Sequence, residues 1–113
     1  MARYLISFDD GSMDHVLDED LPAVDEAAHE VVQAAKDAGV WIFGGGVQRQ
    51  QATIVGTDGT VAEGPDPETK PAIGGFSIIE VGSRAEAHHW AARIARSCRC
   101  AQEVREIMYD PAS

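Results

Sequence analysis

A formal charge of −10 over 113 residues, 9 Lys and Arg against 19 Asp and Glu, excludes the clustered cationic surface that direct nucleic-acid binding needs and disfavours docking on an anionic membrane. The length fits one domain over residues 1–113, with a core small enough that self-association helps it. No apolar run is long enough for a signal peptide or a membrane span, so the sequence reads as cytoplasmic.

Arg3 to Phe8 sets Tyr4, Ile6 and Phe8 on one face and Leu5 on the other. A strand apolar on both faces is expected in the middle of a sheet. Asp9-Asp10-Gly11-Ser12 ends it, and the stretch to Glu19 is acidic and irregular. Asp20 as N-cap and Pro22 in the first turn open a helix over about residues 21–38. Leu21, Val24, Ala28, Val31, Val32, Ala35 and Ala38 form its apolar stripe, and Gly39 stops it. Val40-Trp41-Ile42-Phe43 begins a strand that Gly44-Gly45-Gly46 is expected to interrupt. Three glycines can cradle a phosphate, but no P-loop lysine follows, and a bulge or close backbone contact fits better. Gln51 to Thr57, the turn Asp58-Gly59 and Thr60 to Glu63 read as a hairpin.

Glu63 to Phe76 is a charged loop stiffened by Pro65, Pro67 and Pro71, with Gly74-Gly75 allowing a bulge or close approach at its end. Phe76 to Val81 is a second core strand. Ser83 and Glu86 make a capping box for a helix to about residue 96, with Ala87, Ala91, Ile94 and Ala95 as its buried stripe. Ala101 to Tyr109 is a last strand. This order is a split βαβ, ferredoxin-like α+β arrangement: one antiparallel sheet with two helices on one face. The other face keeps apolar side chains, which a small domain buries most simply against a second copy.

Gly64-Pro65, Glu68-Thr69-Lys70 and Gly74-Gly75-Phe76 resemble the DGPFAETKE motif of the YCII-related proteins. The likeness extends to Tyr4-Leu5, Ala38-Gly39-Val40, Asp58-Gly59, Glu86-Ala87, Trp90-Ala91 and Glu103-Val104-Arg105. Glu63, Asp66 and Pro67 stand where the motif has Asp, Phe and Ala. The resemblance implies a homodimer of the dimeric α+β barrel type with a cleft near the sheet face. It also implies a His–Asp dyad with the histidine near the start of the first helix. Here that stretch is Leu21-Pro22-Ala23-Val24 and offers Val24; the acidic partner corresponds to Asp66.

The site read from the sequence therefore centres on the loop. Asp66 and Lys70 are the catalytic candidates. Glu63, Gly64, Pro65, Glu68, Thr69, Gly74, Gly75, Phe76 and Arg105 are the ligand-binding ones, with Lys70 and Arg105 able to hold a small anion. His29 lies mid-helix and leans to solvent, His15 sits among acids, and His88 and His89 diverge on their helix. None matches a metal-ligand spacing, so neither metal nor cofactor is called for; His15 or His29 can supply the missing imidazole. Cys98 and Cys100 rarely suit a disulfide at this spacing, and Arg96 and Arg99 nearby can lower their thiol pKa values for a redox role. Two readings follow: an enzyme using acid–base chemistry on a small organic substrate, or a non-catalytic regulatory module. For the second, the resemblance points to a protein partner such as a sigma factor.

Overall fold

The computed structural model describes residues 1–64 and 72–113. Alternating side chains give β1 (Ala2–Asp9), buried at Tyr4, Ile6 and Ser7. A short 3-10 turn, Asp18–Asp20, runs directly into α1 (Leu21–Asp37). The expected side-chain cap from Asp20 is not formed, because the preceding turn already holds this residue at helical angles. Its carboxylate lies 3.6 Å from Arg99 instead. Gly39, at φ 74°, lets the chain leave the helix.

β2 (Trp41–Gly46) continues through the three glycines rather than breaking there. Glycine keeps both backbone hydrogen-bonding groups, so the ladder survives. The irregularity falls between Trp41 and Phe43. β3 (Thr53–Val55) and β4 (Val61–Glu63) form a separate two-stranded ribbon. The Asp58-Gly59 turn shortens both strands: Gly56 N–H donates to Thr60 O at 2.8 Å. Thr60 donates its hydroxyl and backbone N–H to Asp58 Oδ1 at 2.7 and 3.0 Å, which holds the Asp58 carboxyl below its ordinary range.

β5 (Ile73–Val81) starts three residues before the expected Phe76. Ser83 Oγ caps α2 (Arg84–Cys98) by accepting Glu86 N–H at 3.2 Å. Glu86 returns the contact one residue upstream, accepting Gly82 N–H at 2.9 Å. β6 (Glu103–Glu106) is shorter than expected.

The sheet runs β2-β5-β1-β6 with every pair antiparallel, the ferredoxin-like order. Tyr4, Ile6, Ile79 and Val81 of the sheet pack with Ala35 of α1 and Ala87, Trp90, Ala91 and Ile94 of α2. On the other face the register groups Leu5, Ile78, Phe76 and Phe43. Phe43 is 61% exposed there, with its ring 5.7 Å from that of Phe76. Among the described residues the sheet is thus open and is not closed into a barrel. No helix among the described residues is long and apolar enough to cross a membrane.

Candidate functional site

The helix-covered face of the sheet is filled at one end and glycine-lined at the other. Register places Phe8, Gly75 and Gly46 side by side across β1, β5 and β2. A Cβ on Gly75 would lie 2.5 Å from the Phe8 ring, and one on Gly44 would lie 2.8 Å from the Trp41 ring. Both aromatic rings therefore lie against bare backbone. Between this floor and α1 is a cavity of about 550 Å³, within the range of roughly 300–1,000 Å³ typical of small-molecule sites.

Its wall is mainly apolar. Val24, Ala28 and Val32 come from α1, Ile94 from α2, and Met13 from the loop after β1. The polar groups are few: Asp25, His29 and Lys36 on α1, Ser77 on the sheet, Ser97 and Cys98 at the end of α2, and Gln102. An apolar wall with a small set of placed polar groups is the usual build of a ligand site.

His29 Nδ1 lies 2.7 Å from the carbonyl oxygen of Asp25, one helical turn earlier. A carbonyl can only accept, so in the neutral ring Nδ1 carries the proton and Nε2 keeps its lone pair. Lys36 has no ion-pair partner among the described residues, whereas Arg3, Arg49 and Arg99 each pair with carboxylates. Arg49 clasps two of them: Nε lies 3.0 Å from Asp10 and Nη2 2.6 Å from Asp14. Hydrogen bonds to Asp14 and Asp10 hold this guanidinium well above its ordinary range. The clasp ties the Met13 loop to the segment after β2 at the glycine end of the sheet.

Burial pushes the Cys98 thiol up, and the Asp25 carboxylate adds to this against the lowering contact from Ser97. Burial, then Cys98, does the same to Cys100. The lowered thiol pKa values expected from the neighbouring arginines are therefore corrected: both are shifted upward, and Cys98 stands in the cavity wall.

Of the residues chosen from the sequence, Phe76 borders the cavity while its ring lies with Phe43 on the opposite face, and Gly75 lies under the Phe8 ring. Gly74 lies against Asp10, whose Cα would be 2.9 Å from its Cβ. Glu63 ends β4. Gly64 donates its N–H to Ala52 O at 2.7 Å, at the base of the ribbon. Arg105 is in register with Leu5, on the opposite face of the sheet. Pro65, Asp66, Glu68, Thr69 and Lys70 lie outside the described residues. Asp25, Lys36 and Met13 were not singled out. A signal for two of them exists: Asp25, His29 and Lys36 fall at helical spacing beside the apolar stripe of α1.

Fold and cavity together define a ferredoxin-like α+β domain with a ligand-sized space under its first helix. Residues 3–109 match the YCII-related domain, and the chain belongs to that family. Among solved structures it is similar to 5-chloro-2-hydroxyhydroquinone dehydrochlorinase from Burkholderia phenoliruptrix AC1100 in complex with 2,5-dihydroxybenzoquinone. That match has a TM-score of 0.53 at 18% identity, covering 99% of this chain and 98% of the other; it is a likeness of fold. A search of curated proteins gives no significant match.

Proposed function

We propose that this YCII-related domain binds a small organic anion with an apolar body in the cavity under α1, and that His29 exchanges a proton with it. The carrying observation is the contact of His29 Nδ1 with Asp25 O, which leaves Nε2 its lone pair in the neutral ring, on a mostly apolar cavity wall that also holds Lys36, a lysine with no ion-pair partner among the described residues. An imidazole with Nε2 free is a ready proton acceptor. Lys36, on the same stripe, supplies the charge that attracts an anion to a chain of net charge −10. The fold relative's bound 2,5-dihydroxybenzoquinone supplies a first ligand to try, alongside salicylate. The roles expected of Asp66 and Lys70 belong to the same proposal, since these residues directly precede β5 in the sequence.

Calorimetric titration tests this. Both ligands are expected to bind the wild type, and Lys36→Met to weaken them about tenfold, as loss of one charge-assisted contact does. Repeating the titration in buffers of different ionisation enthalpy reads proton transfer on binding. His29→Gln should remove the buffer dependence and leave binding. Unchanged binding in Lys36→Met together with an unchanged buffer effect in His29→Gln contradicts the proposal. Asp66→Ala and Lys70→Ala, titrated in parallel, test the loop.

A homodimer belongs to the same reading, with a second copy covering Phe43, Phe76, Leu5 and Ile78 and completing the barrel. Light scattering should show a dimer that Phe43→Lys dissociates. The regulatory reading draws on a different surface: Val55 and Val61 of the ribbon are 64% and 66% exposed, an apolar pair able to meet a protein partner. Co-elution with a purified extracytoplasmic-function sigma factor, lost in Val55→Lys, would support it; absence of co-elution rejects that partner.

A further inference from the structure

We infer that Gly46 is the specificity-determining position of the cavity, and that the ligand it selects has a flat, unsaturated ring lying on this glycine. The inference rests on the binding proposal above and adds the shape of the ligand to it. Three glycines pave the helix-covered face at this end: Gly44 and Gly46 on β2 and Gly75 on β5. Two already carry aromatic rings of the chain itself. Trp41 lies over Gly44 and Phe8 over Gly75, each close enough that a Cβ would strike the ring. Gly46 sits next to both, directly across from Gly75 and two residues along from Gly44, yet a Cβ there would meet nothing within 4 Å. It lines the cavity, so the open space above it is part of the site.

Its backbone is outside the left-handed region, so no turn or strain explains the glycine. A flat ring placed there continues the pattern of its neighbours. It has peptide backbone beneath it and the Phe8 and Trp41 rings at its margins, where aromatic contacts are favourable. His29 and Lys36 across the cavity then face the ring's polar substituents. The Cβ of a β-branched side chain at Gly46 would enter that place without meeting an existing wall. Gly45 provides the matched control. It too borders the cavity and meets nothing within 4 Å, but its pairing with Phe76 turns its Cβ position to the opposite face, so a side chain there would leave the cavity.

The experiment compares wild type, Gly46→Val and Gly45→Val by calorimetric titration with salicylate and its saturated counterpart cyclohexanecarboxylate, checking the fold of each by circular dichroism. Wild type is expected to prefer the flat acid, Gly46→Val to bind it at least about tenfold more weakly, and Gly45→Val to stay within about twofold. If valine prevents folding at 46, Gly46→Ala serves, with an expected loss of about threefold. Equal binding by wild type and a folded Gly46 variant, or an equal loss in Gly45→Val, overturns the assignment of Gly46 and leaves the binding proposal standing. Failure of the wild type to bind either acid or 2,5-dihydroxybenzoquinone overturns the binding proposal itself, and this assignment with it.

Discussion

Two ends of one sheet face behave oppositely. At the Tyr4–Ile79 end, Ile6, Ile79 and Val81 are essentially inaccessible and both helices close over them. At the Phe8–Gly75 end, the same two strands continue with glycines beside them, and a cavity remains under α1. Strand pairing is unbroken from one end to the other, apart from the shift at Phe8/Asp9. The difference is therefore one of side-chain volume and not of backbone architecture. Branched side chains fill the space between sheet and helices at one end, and three glycines withhold it at the other. Close packing is the ordinary state of a protein interior, so the filled end explains stability and the glycine end invites a functional account.

Mutations at the two ends should separate these roles. The largest effect is expected at the filled end. Ile79→Ala removes a fully buried side chain and should cost about 2–5 kcal/mol in denaturant unfolding, with a residual cavity at the centre of the core. Gly75→Ala comes next. Its methyl would lie 2.5 Å from the Phe8 ring, and displacing that ring should cost about 1–3 kcal/mol and also disturb the cavity. Retained stability there would mean that Phe8 is free to move and that the floor is less fixed than described. Away from both ends, Ser83→Ala removes the cap that accepts Glu86 N–H and should cost about 1 kcal/mol with no effect on ligand binding.

The smallest effect is a pH dependence in the ribbon. Asp58 has a depressed pKa in the folded chain, mainly through the Thr60 hydroxyl. The stabilisation this implies is present above the unfolded carboxylate pKa and is lost as pH falls through the lower folded value. Thermal melts between neutral and acid pH should show a slight loss that Asp58→Asn lacks. A loss of equal size in Asp58→Asn assigns it to other carboxylates.

The filled end was legible in the sequence because its signals are local. Period-two alternation in residues 3–8, the Ser83–Glu86 cap and the Gly39 stop each act within a few residues, and each stands in the structure as strand, cap and helix end. Their combined order gave the split βαβ arrangement, whereas the YCII resemblance rested on particular residues, Gly64-Pro65, Glu68-Thr69-Lys70 and Gly74-Gly75-Phe76. Trp90 was not placed in the apolar stripe of α2, although it is buried in the core; its large side chain sits beside the small alanines that define the stripe. The glycine end was misjudged for a related reason. Gly44-Gly45-Gly46 was read as an interruption with a bulge or close backbone contact; the strand is not interrupted, and the close contact is present at Gly44. What the run does depends on Phe8, Trp41 and α1, which only tertiary contact brings beside it. His29 was read as leaning to solvent, and it is exposed; what the sequence did not show is that it also borders the cavity, a relation that arises when α1 lies across that bare floor.

The most direct test of the central claim is a titration of ¹⁵N-labelled protein with salicylate, followed by amide chemical shifts. The account predicts saturable shifts at Gly44, Gly45, Gly46, His29 and Lys36, with the amides of Tyr4, Ile79 and Val81 unmoved. Shifts confined to the ribbon or to the Phe43 face, or no shift at the glycine end at saturating concentration, would contradict it.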